Sequence, residues 1–288
     1  MIRIDEIDAF YISYDEPQAE RFWAELRALV PWAKRTHGVK GFDQAHRACA
    51  EASKTERFLT IDGDNRVDGS FFDMTLEVSE EDPSTFSWGA RNHLNGLVYG
   101  NGGIKCWHRT TVMKMCSHAA GKVDFCWDEG YTQMKHAYST TYQNGSPYQA
   151  FRAGFREGIK FLLDRGNPVP MNKFHTLWRG NLNRLEIWCS VGLDIHNGDW
   201  AMLGAREAVM ETLRGFDISN ISNYDWFSEY WSSIWARYGN RVEERIHETS
   251  SILRQVGLNV CLFSPEESAF FKRHAQSLPR SSRVMERE

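Results

Sequence analysis

The chain has 288 residues, 42% of them hydrophobic and 13% aromatic, with a formal net charge of −4. This composition supports a real core in one large α/β domain or two small ones, and the charge does not advertise nucleic acid as a partner, although a local basic rim would suffice for one. No apolar run approaches the roughly 18 residues of a membrane span. No signal peptide precedes the first strand. The six cysteines (49, 106, 116, 126, 189 and 261) form no C-x-x-C pair, as expected of reduced thiols in a cytoplasmic protein with no membrane partner.

Ile7 to Ser13 is short, apolar and rich in aromatic and β-branched residues, the pattern of a buried parallel strand. Tyr14-Asp15-Glu16-Pro17 breaks it, with Asp15 placed to cap a following helix and Pro17 in that helix's first turn. Ala19, Phe22, Trp23, Leu26, Leu29 and Val30 recur at helical spacing, and Pro31 ends the run. Ala33 to His37 reads as a second strand and Gly38-Val39-Lys40-Gly41 as a tight loop. Phe42, Ala45, Cys49 and Ala52 mark a second helix with small packing residues. Arg57 to Ile61 is a third strand, running directly into Asp62-Gly63-Asp64. Strands alternating with helices imply right-handed crossovers, a parallel sheet, and ligands at its carboxyl edge, where Asp15, Lys40, Asp62 and Asp64 should gather. No G-x-G-x-x-G follows the first strand, which counts against a dinucleotide-binding domain.

Two hard carboxylates separated by one glycine suit an oxygen-preferring divalent cation, Mn²⁺ or Mg²⁺, with the glycine admitting a diphosphate. The competing reading is an Asp-Gly turn that caps a strand. Farther along, Phe71 to Val78 looks like a strand and Ser79 to Pro83 an acidic turn. Tyr99-Gly100-Asn101-Gly102-Gly103 permits close approach to a ligand, or is an ordinary hairpin turn. Ala150 to Leu163 is a helix carrying Arg152, Arg156 and Lys160 on one face, either solvated or meeting phosphates. Ile187 to Asp194 is strand-like, Asn197 to Trp200 a turn, and Ala201 to Leu213 a helix. Phe227, Tyr230, Trp231, Ile234, Trp235 and Tyr238 follow helical spacing and read as a core stripe in preference to a base-stacking platform. Cys106, His108, Cys116, His118 and Cys126 repeat at ten-residue intervals but match no zinc-site spacing. No internal repeat or long linker divides the chain. The expectation is one domain over residues 1–276, ending in C-terminal helices, followed by a flexible tail (277–288).

Several segments resemble motifs of GT-A-type glycosyltransferases of tailed bacteriophages: Ile12 to Pro17, His37 to Gly41, Ala45-His46, Asp62-Gly63-Asp64, Tyr99 to Lys105, Val123 to Trp127, Ser146 to Glu157 and Gly204-Ala205-Arg206. That group is associated with sugar transfer to 5-hydroxymethylpyrimidines in phage DNA, and is more distantly similar to the kinetoplastid glucosyltransferase that completes base J. The resemblance covers roughly residues 7 to 206. It implies an α/β, GT-A-like Rossmann-type fold with a central mixed sheet flanked by helices, a nucleotide-sugar donor such as a UDP-sugar bound by a first half (1–105), and an acceptor-side half with the C-terminal helices (106–276).

Resemblance and chemistry together give a site expectation. Asp62 and Asp64 hold the cation, with His196 or His175 as an added ligand. Ser13, Tyr14, Asp15 and Glu16 line the nucleoside pocket, Lys40 approaches base or phosphate, and Asn101, Gly102 and Gly103 wall the sugar. An inverting transfer needs a base; Asp124, Asp194, Asp128 and Glu129 are the candidates, with Asp124 preferred. The acceptor expectation is DNA carrying a 5-hydroxymethylpyrimidine, 5-hydroxymethylcytosine or 5-hydroxymethyluracil. A flipped base would stack on Trp88, Trp107, Trp127 or Trp178 and pair with Asn92, Asn95 or Gln149. Arg91, Arg152, Arg156 and Arg179 would meet the phosphates. Two other classes stay open: a glycosyltransferase or nucleotidyltransferase with a small-molecule, protein or cell-wall acceptor, and a non-catalytic module that keeps the fold.

Overall fold

Strand β1 (Asp8–Ser13) lies between two parallel neighbours, β2 (Lys34–His37) and β3 (Arg57–Asp62), joined through helices α1 (Ala19–Leu29) and α2 (Phe42–Ala52). Adjacent residues along these strands face opposite sides, as the strand period requires. Phe10 and Phe58 pack beneath α2 with Cys49 and Trp107, whereas Tyr11, Leu59 and Ile61 pack with Phe22 and Leu26 of α1. Both faces are therefore covered over β1 and β3, whose central residues are buried, whereas the edge strand β2 is polar and only half-buried.

The computed structural model describes residues 1–79, 81–116, 130–164, 166–274 and 286–287. After β3 the chain crosses to a short strand, β4 (Asn65–Val67), then enters β5 (Thr85–Asn92), β6 (Val98–His108) and, after helix α3 (Arg109–Lys114), β7 (Tyr131–Thr141). The main sheet runs β7-β5-β6-β3-β1-β2, with β6 antiparallel to both of its neighbours. β4 leaves the end of β3 yet pairs with β7 at the far side of the sheet, which curls the sheet on itself. The outcome is the α/β, Rossmann-like mixed sheet with flanking helices that the sequence leads one to expect.

The remaining helices are α4 (Pro147–Phe161), α5 (Arg179–Trp188), α6 (Gly198–Leu213), α7 (Tyr224–Tyr238), α8 (Val242–Gln255) and α9 (Pro265–His274). α4 and α6 approach so closely that a Cβ on Gly154 would enter the Ala201 carbonyl and one on Gly204 the Phe151 carbonyl. Buried Arg206 donates to the carbonyls of Cys189 (2.8 Å) and Ile246 (2.6 Å), tying α6 to α8. Phe227 and Ile234 of α7 and Ile246 and Leu253 of α8 share the core cluster of α4, α5 and α6. The aromatic stripe on α7 is core packing except for Trp235, 47% exposed and stacked on Trp200.

Four local expectations are corrected. Phe71 to Val78 is not one strand: the Asp68 carboxylate accepts from the Ser70 N–H and starts a 3-10 turn (Gly69–Asp73), leaving only Thr75–Leu76 extended. Ile187 to Asp194 is not a strand, because Leu182, Leu185 and Trp188 bury one face of α5 and the chain then turns. Asp15 does not cap α1: the helix is entered through a turn in which the Ala19 N–H meets the Glu16 carbonyl at 3.0 Å, and Pro17 precedes the helix. The glycines of Tyr99 to Gly103 lie within β6, and the hairpin turn falls instead at His93 to Asn95, closed by the Gly96 N–H on the Asn92 carbonyl. The region holding Asp124, Trp127, Asp128 and Glu129, and all but residues 286–287 of the expected tail, lies outside the described residues.

Candidate functional site

The carboxyl ends of β1, β2 and β3 share one edge because the strands are parallel in register, with Ile12 opposite Asp62 and Ser13 opposite His37. The loop after β1 folds back so that the Glu16 carboxylate accepts from the Tyr14 N–H at 2.8 Å and lies against Gly63. A Cβ on Gly63 would sit 2.7 Å from a Glu16 carboxylate oxygen and 2.9 Å from the Ile12 carbonyl, so only glycine fits. The buried Tyr11 hydroxyl holds the turn from below, shared between the carbonyls of Gly63 (2.7 Å) and Ala19 (3.0 Å).

Three carboxylates thus converge around Gly63. Asp64 is half-buried, and its carboxyl is pushed up to about 7, by burial first and then by the charges of Asp62 and Glu16. The Glu16 carboxyl is also raised, again mainly by burial, with Asp15 and Asp62 adding repulsion. Asn65 Nδ2 (2.7 Å) and Gln143 Nε2 (3.1 Å) each donate to one Asp64 oxygen, and the Tyr142 N–H donates to its carbonyl at 2.7 Å. Lys105 Nζ lies 3.4 Å from Asp62 Oδ2, so one of the two aspartates carries a built-in counter-charge.

Below Asp62, on α2, His46 is 2% exposed; its Nδ1 donates to the Phe42 carbonyl at 2.9 Å and its Nε2 has no partner. Burial, followed by the charge of Lys105, pushes this imidazole down to about 4, so it is neutral at physiological pH.

The site residues expected from the sequence divide as follows. Ser13, Tyr14, Asp15, Glu16, Asp62 and Asp64 all lie at or beside this edge; Tyr14 and Asp15 are exposed, whereas Ser13 is buried with its hydroxyl on His37 Nδ1 (3.0 Å) and Arg35 Nε (2.8 Å). Lys40 is exposed on its loop between Gly38 and Gly41, both at positive φ. Asn101 is half-buried. Gly102 and Gly103 are buried within β6, where a Cβ on Gly102 would enter the backbone of Trp88 and Ala90 and one on Gly103 the Asn65 side chain. His196 is exposed, but its segment reaches the site, since Asn144 Nδ2 donates to the His196 carbonyl (3.2 Å) next to Gln143. His175 is exposed on a 3-10 turn. Among the described residues, no three His, Cys, Asp or Glu side chains gather as a self-sufficient metal site. Asp62 and Asp64 nevertheless fit a hard cation that takes its other ligands from a diphosphate and water, and a cation would relieve the repulsion among the three carboxylates.

Asp194 does not end a strand. It lies in the α5–α6 turn, paired with Lys272 of α9 at 2.5 Å. Trp107 and Trp88 cannot stack on a base, because they are 0% and 1% exposed, and the Trp107 indole N–H donates to the Thr60 hydroxyl. Asn92, Asn95 and Gln149 use their carbonyl oxygens on local backbone N–H groups of Leu94, Leu97 and Gly145. Trp178 is exposed beside the Arg184 guanidinium. Arg152 packs its guanidinium over Tyr224 at 4.4 Å, and no residue of α4, Arg156 included, is fully exposed. Arg91 donates to the Gly96 carbonyl and Arg179 pairs with Glu186, both at the surface. His108 is no zinc ligand partner to Cys106: its Nδ1 caps α3 by accepting from the Thr110 N–H.

Sequence reasoning missed Tyr11, Asn65, Lys105 and Gln143. A lysine inside the apolar run Ile104-Lys105-Cys106-Trp107 was the one visible signal, since a buried lysine needs a partner.

No family model and no curated protein matches this chain. A solved glycosyltransferase involved in the glycosylation of the major capsid of PBCV-1 is similar over 36% of this chain and 61% of its own, at 14% identity and a TM-score of 0.23. The aligned region spans less than two thirds of that protein, and a likeness of this size carries no argument about fold or activity.

Proposed function

We propose that this chain is a glycosyltransferase that moves a sugar from a nucleoside diphosphate sugar, a UDP-sugar by preference, to a hydroxyl acceptor. The observation that carries the reading is the convergence of Glu16, Asp62 and Asp64 around a glycine that admits no side chain, at the carboxyl edge of three parallel strands. Asp62 and Asp64 would hold Mn²⁺ or Mg²⁺, whose chemical contribution is to neutralise the departing diphosphate. Lys105 adds a fixed positive charge behind Asp62. Tyr14 and Asp15, exposed on the loop after β1, face the nucleoside, and Lys40 serves base or phosphate. Asp194 and, outside the described residues, Asp124 and Asp128 are the bases proposed for the acceptor hydroxyl.

For the acceptor, the motif resemblance supports a 5-hydroxymethylpyrimidine in DNA, whose primary alcohol needs deprotonation and in-line placement. A second reading, a small-molecule, protein or cell-wall hydroxyl, is favoured by one observation: Trp88 and Trp107 are sealed in the core and Arg152 is committed to Tyr224. The test is to incubate the full chain and Mn²⁺ with a nucleotide-sugar panel and hydroxymethylated or plain DNA, and to analyse the nucleosides by mass spectrometry. A sugar on hydroxymethylated nucleosides alone supports the DNA acceptor. Metal-dependent donor hydrolysis without DNA product moves the second reading ahead, and no donor turnover under any condition overturns both.

A further inference from the structure

Asn65 is 3% exposed, and its position is decided by three separate parts of the chain. Its Oδ1 accepts from the hydroxyls of Ser139 and Thr141, each at 3.0 Å, and its Nδ2 donates to Asp64 Oδ1 at 2.7 Å. Ser139 and Thr141 are two residues apart on β7, hence on one face of that strand, and Thr141 stands directly opposite Asn65 in the antiparallel pairing of β4 with β7. The amide space exists because residue 103 on β6 has no side chain: a Cβ there would overlap the Asn65 amide.

We propose that Asn65 is the positioning residue of the carboxylate site, aiming Asp64 at a divalent cation, and that Gly103 is glycine to house its amide. The inference deepens the cation-holding role proposed above and rests on it. With Asp64 ionised, as a bound cation requires, the chemistry admits one arrangement. An ionised Asp64 only accepts, so the amide nitrogen must face it. The amide oxygen then faces β7, where two hydroxyl donors fill its two lone pairs. Asn65 cannot flip without opposing its oxygen to a carboxylate and taking from both hydroxyls the acceptor they donate to. The Asp64 carboxylate is therefore fixed by a side chain whose every oxygen lone pair is accounted for, while its other oxygen meets Gln143.

The test titrates the full-length chain with Mn²⁺ alone, reading free Mn²⁺ by electron paramagnetic resonance, with thermal melting as the control for folding. Asn65→Asp keeps the shape but turns an oxygen towards Asp64; Mn²⁺ affinity should fall about 10- to 100-fold, the scale typical of residues that orient metal ligands. Gly103→Ala should produce a similar loss, and should add almost nothing in an Asn65→Ala background, where nothing remains for its methyl to displace. Folded Asn65→Asp and Gly103→Ala proteins that bind Mn²⁺ within about twofold of the parent would overturn the inference. Should neither variant fold, Thr141→Val and Ser139→Ala decide it: each removes one hydroxyl donor and should weaken Mn²⁺ binding, and parent affinity in both overturns the proposal. A parent chain that binds no Mn²⁺ overturns the cation role, and this inference with it, so the two failures are told apart by the parent titration.

Discussion

Lys105 places its ammonium 3.4 Å from a carboxylate oxygen of Asp62, with its own side chain only 4% exposed and that of Asp62 39% exposed. The ammonium also donates to the Gly102 carbonyl at 3.0 Å, so it is anchored to β6 whether or not Asp62 is ionised. Of the two aspartates, Asp62 thus has a cationic partner within the protein, whereas the Asp64 side chain is met by the amides of Asn65 and Gln143.

Lys105→Met should therefore destabilise the chain by about 1–3 kcal/mol, less than for a fully buried pair because Asp62 stays in touch with water. Adding Asp62→Asn to it should recover part of that loss, which chemical denaturation of the four proteins of the cycle would measure. A purely additive cycle would mean that the two groups do not interact.

Asp64→Ala should abolish metal-dependent donor hydrolysis, by at least about 100-fold, while leaving the far-UV spectrum and melting cooperativity unchanged. Full turnover in EDTA would defeat the cation reading.

The raised carboxyl of Asp64 has a sign that can be checked. Its folded-state value, about 7, exceeds the ordinary carboxylate value, so between roughly pH 4 and pH 7 the native chain holds a proton there that the unfolded chain has released. Stability from this group is full below that window and is lost as pH rises through it. In metal-free protein, Asp64→Asn should remove the loss, so its melting temperature should exceed that of the parent more at pH 8 than at pH 5. Mn²⁺ competes with the same proton, so its affinity should fall as pH drops below about 7. Equal gains at both pH values would contradict the assignment.

Gly63→Ala should cost about 1–3 kcal/mol in denaturant melts, because its methyl meets both the Glu16 carboxylate and the Ile12 carbonyl. Pairing it with Glu16→Ala should restore only part, since the backbone contact persists. Complete recovery would assign the whole effect to Glu16.

The first half of the site was legible because its signals are local. Period-two and helical spacings over residues 7–62 place three strand ends on one edge, and the two aspartates follow the third directly. Asn65 and Gln143 were not legible, and Lys105 showed only as a lysine in an apolar run: their partners lie far along the chain, and a one-dimensional pattern says nothing about which hydroxyls face an amide across a sheet. Ile187 to Asp194 misled for the opposite reason, as a short apolar run fits a strand and a buried helix face equally well, and here α5 and its following turn use those side chains. Trp107 misled because a tryptophan is a plausible platform until its indole is found sealed against Thr60.

The crossing of the chain from β3 to β4 sets an order of events during folding. The βαβαβ unit through Asp62 contains its own close-range contacts and can collapse early, but Asp64 and Asn65 find their partners only when Ser139, Thr141, Tyr142 and Gln143 arrive, more than seventy residues later. Such long loops close slowly. Refolding followed by tryptophan fluorescence should therefore run ahead of the recovery of cation binding, so that the nascent protein acquires a body before it acquires a competent centre.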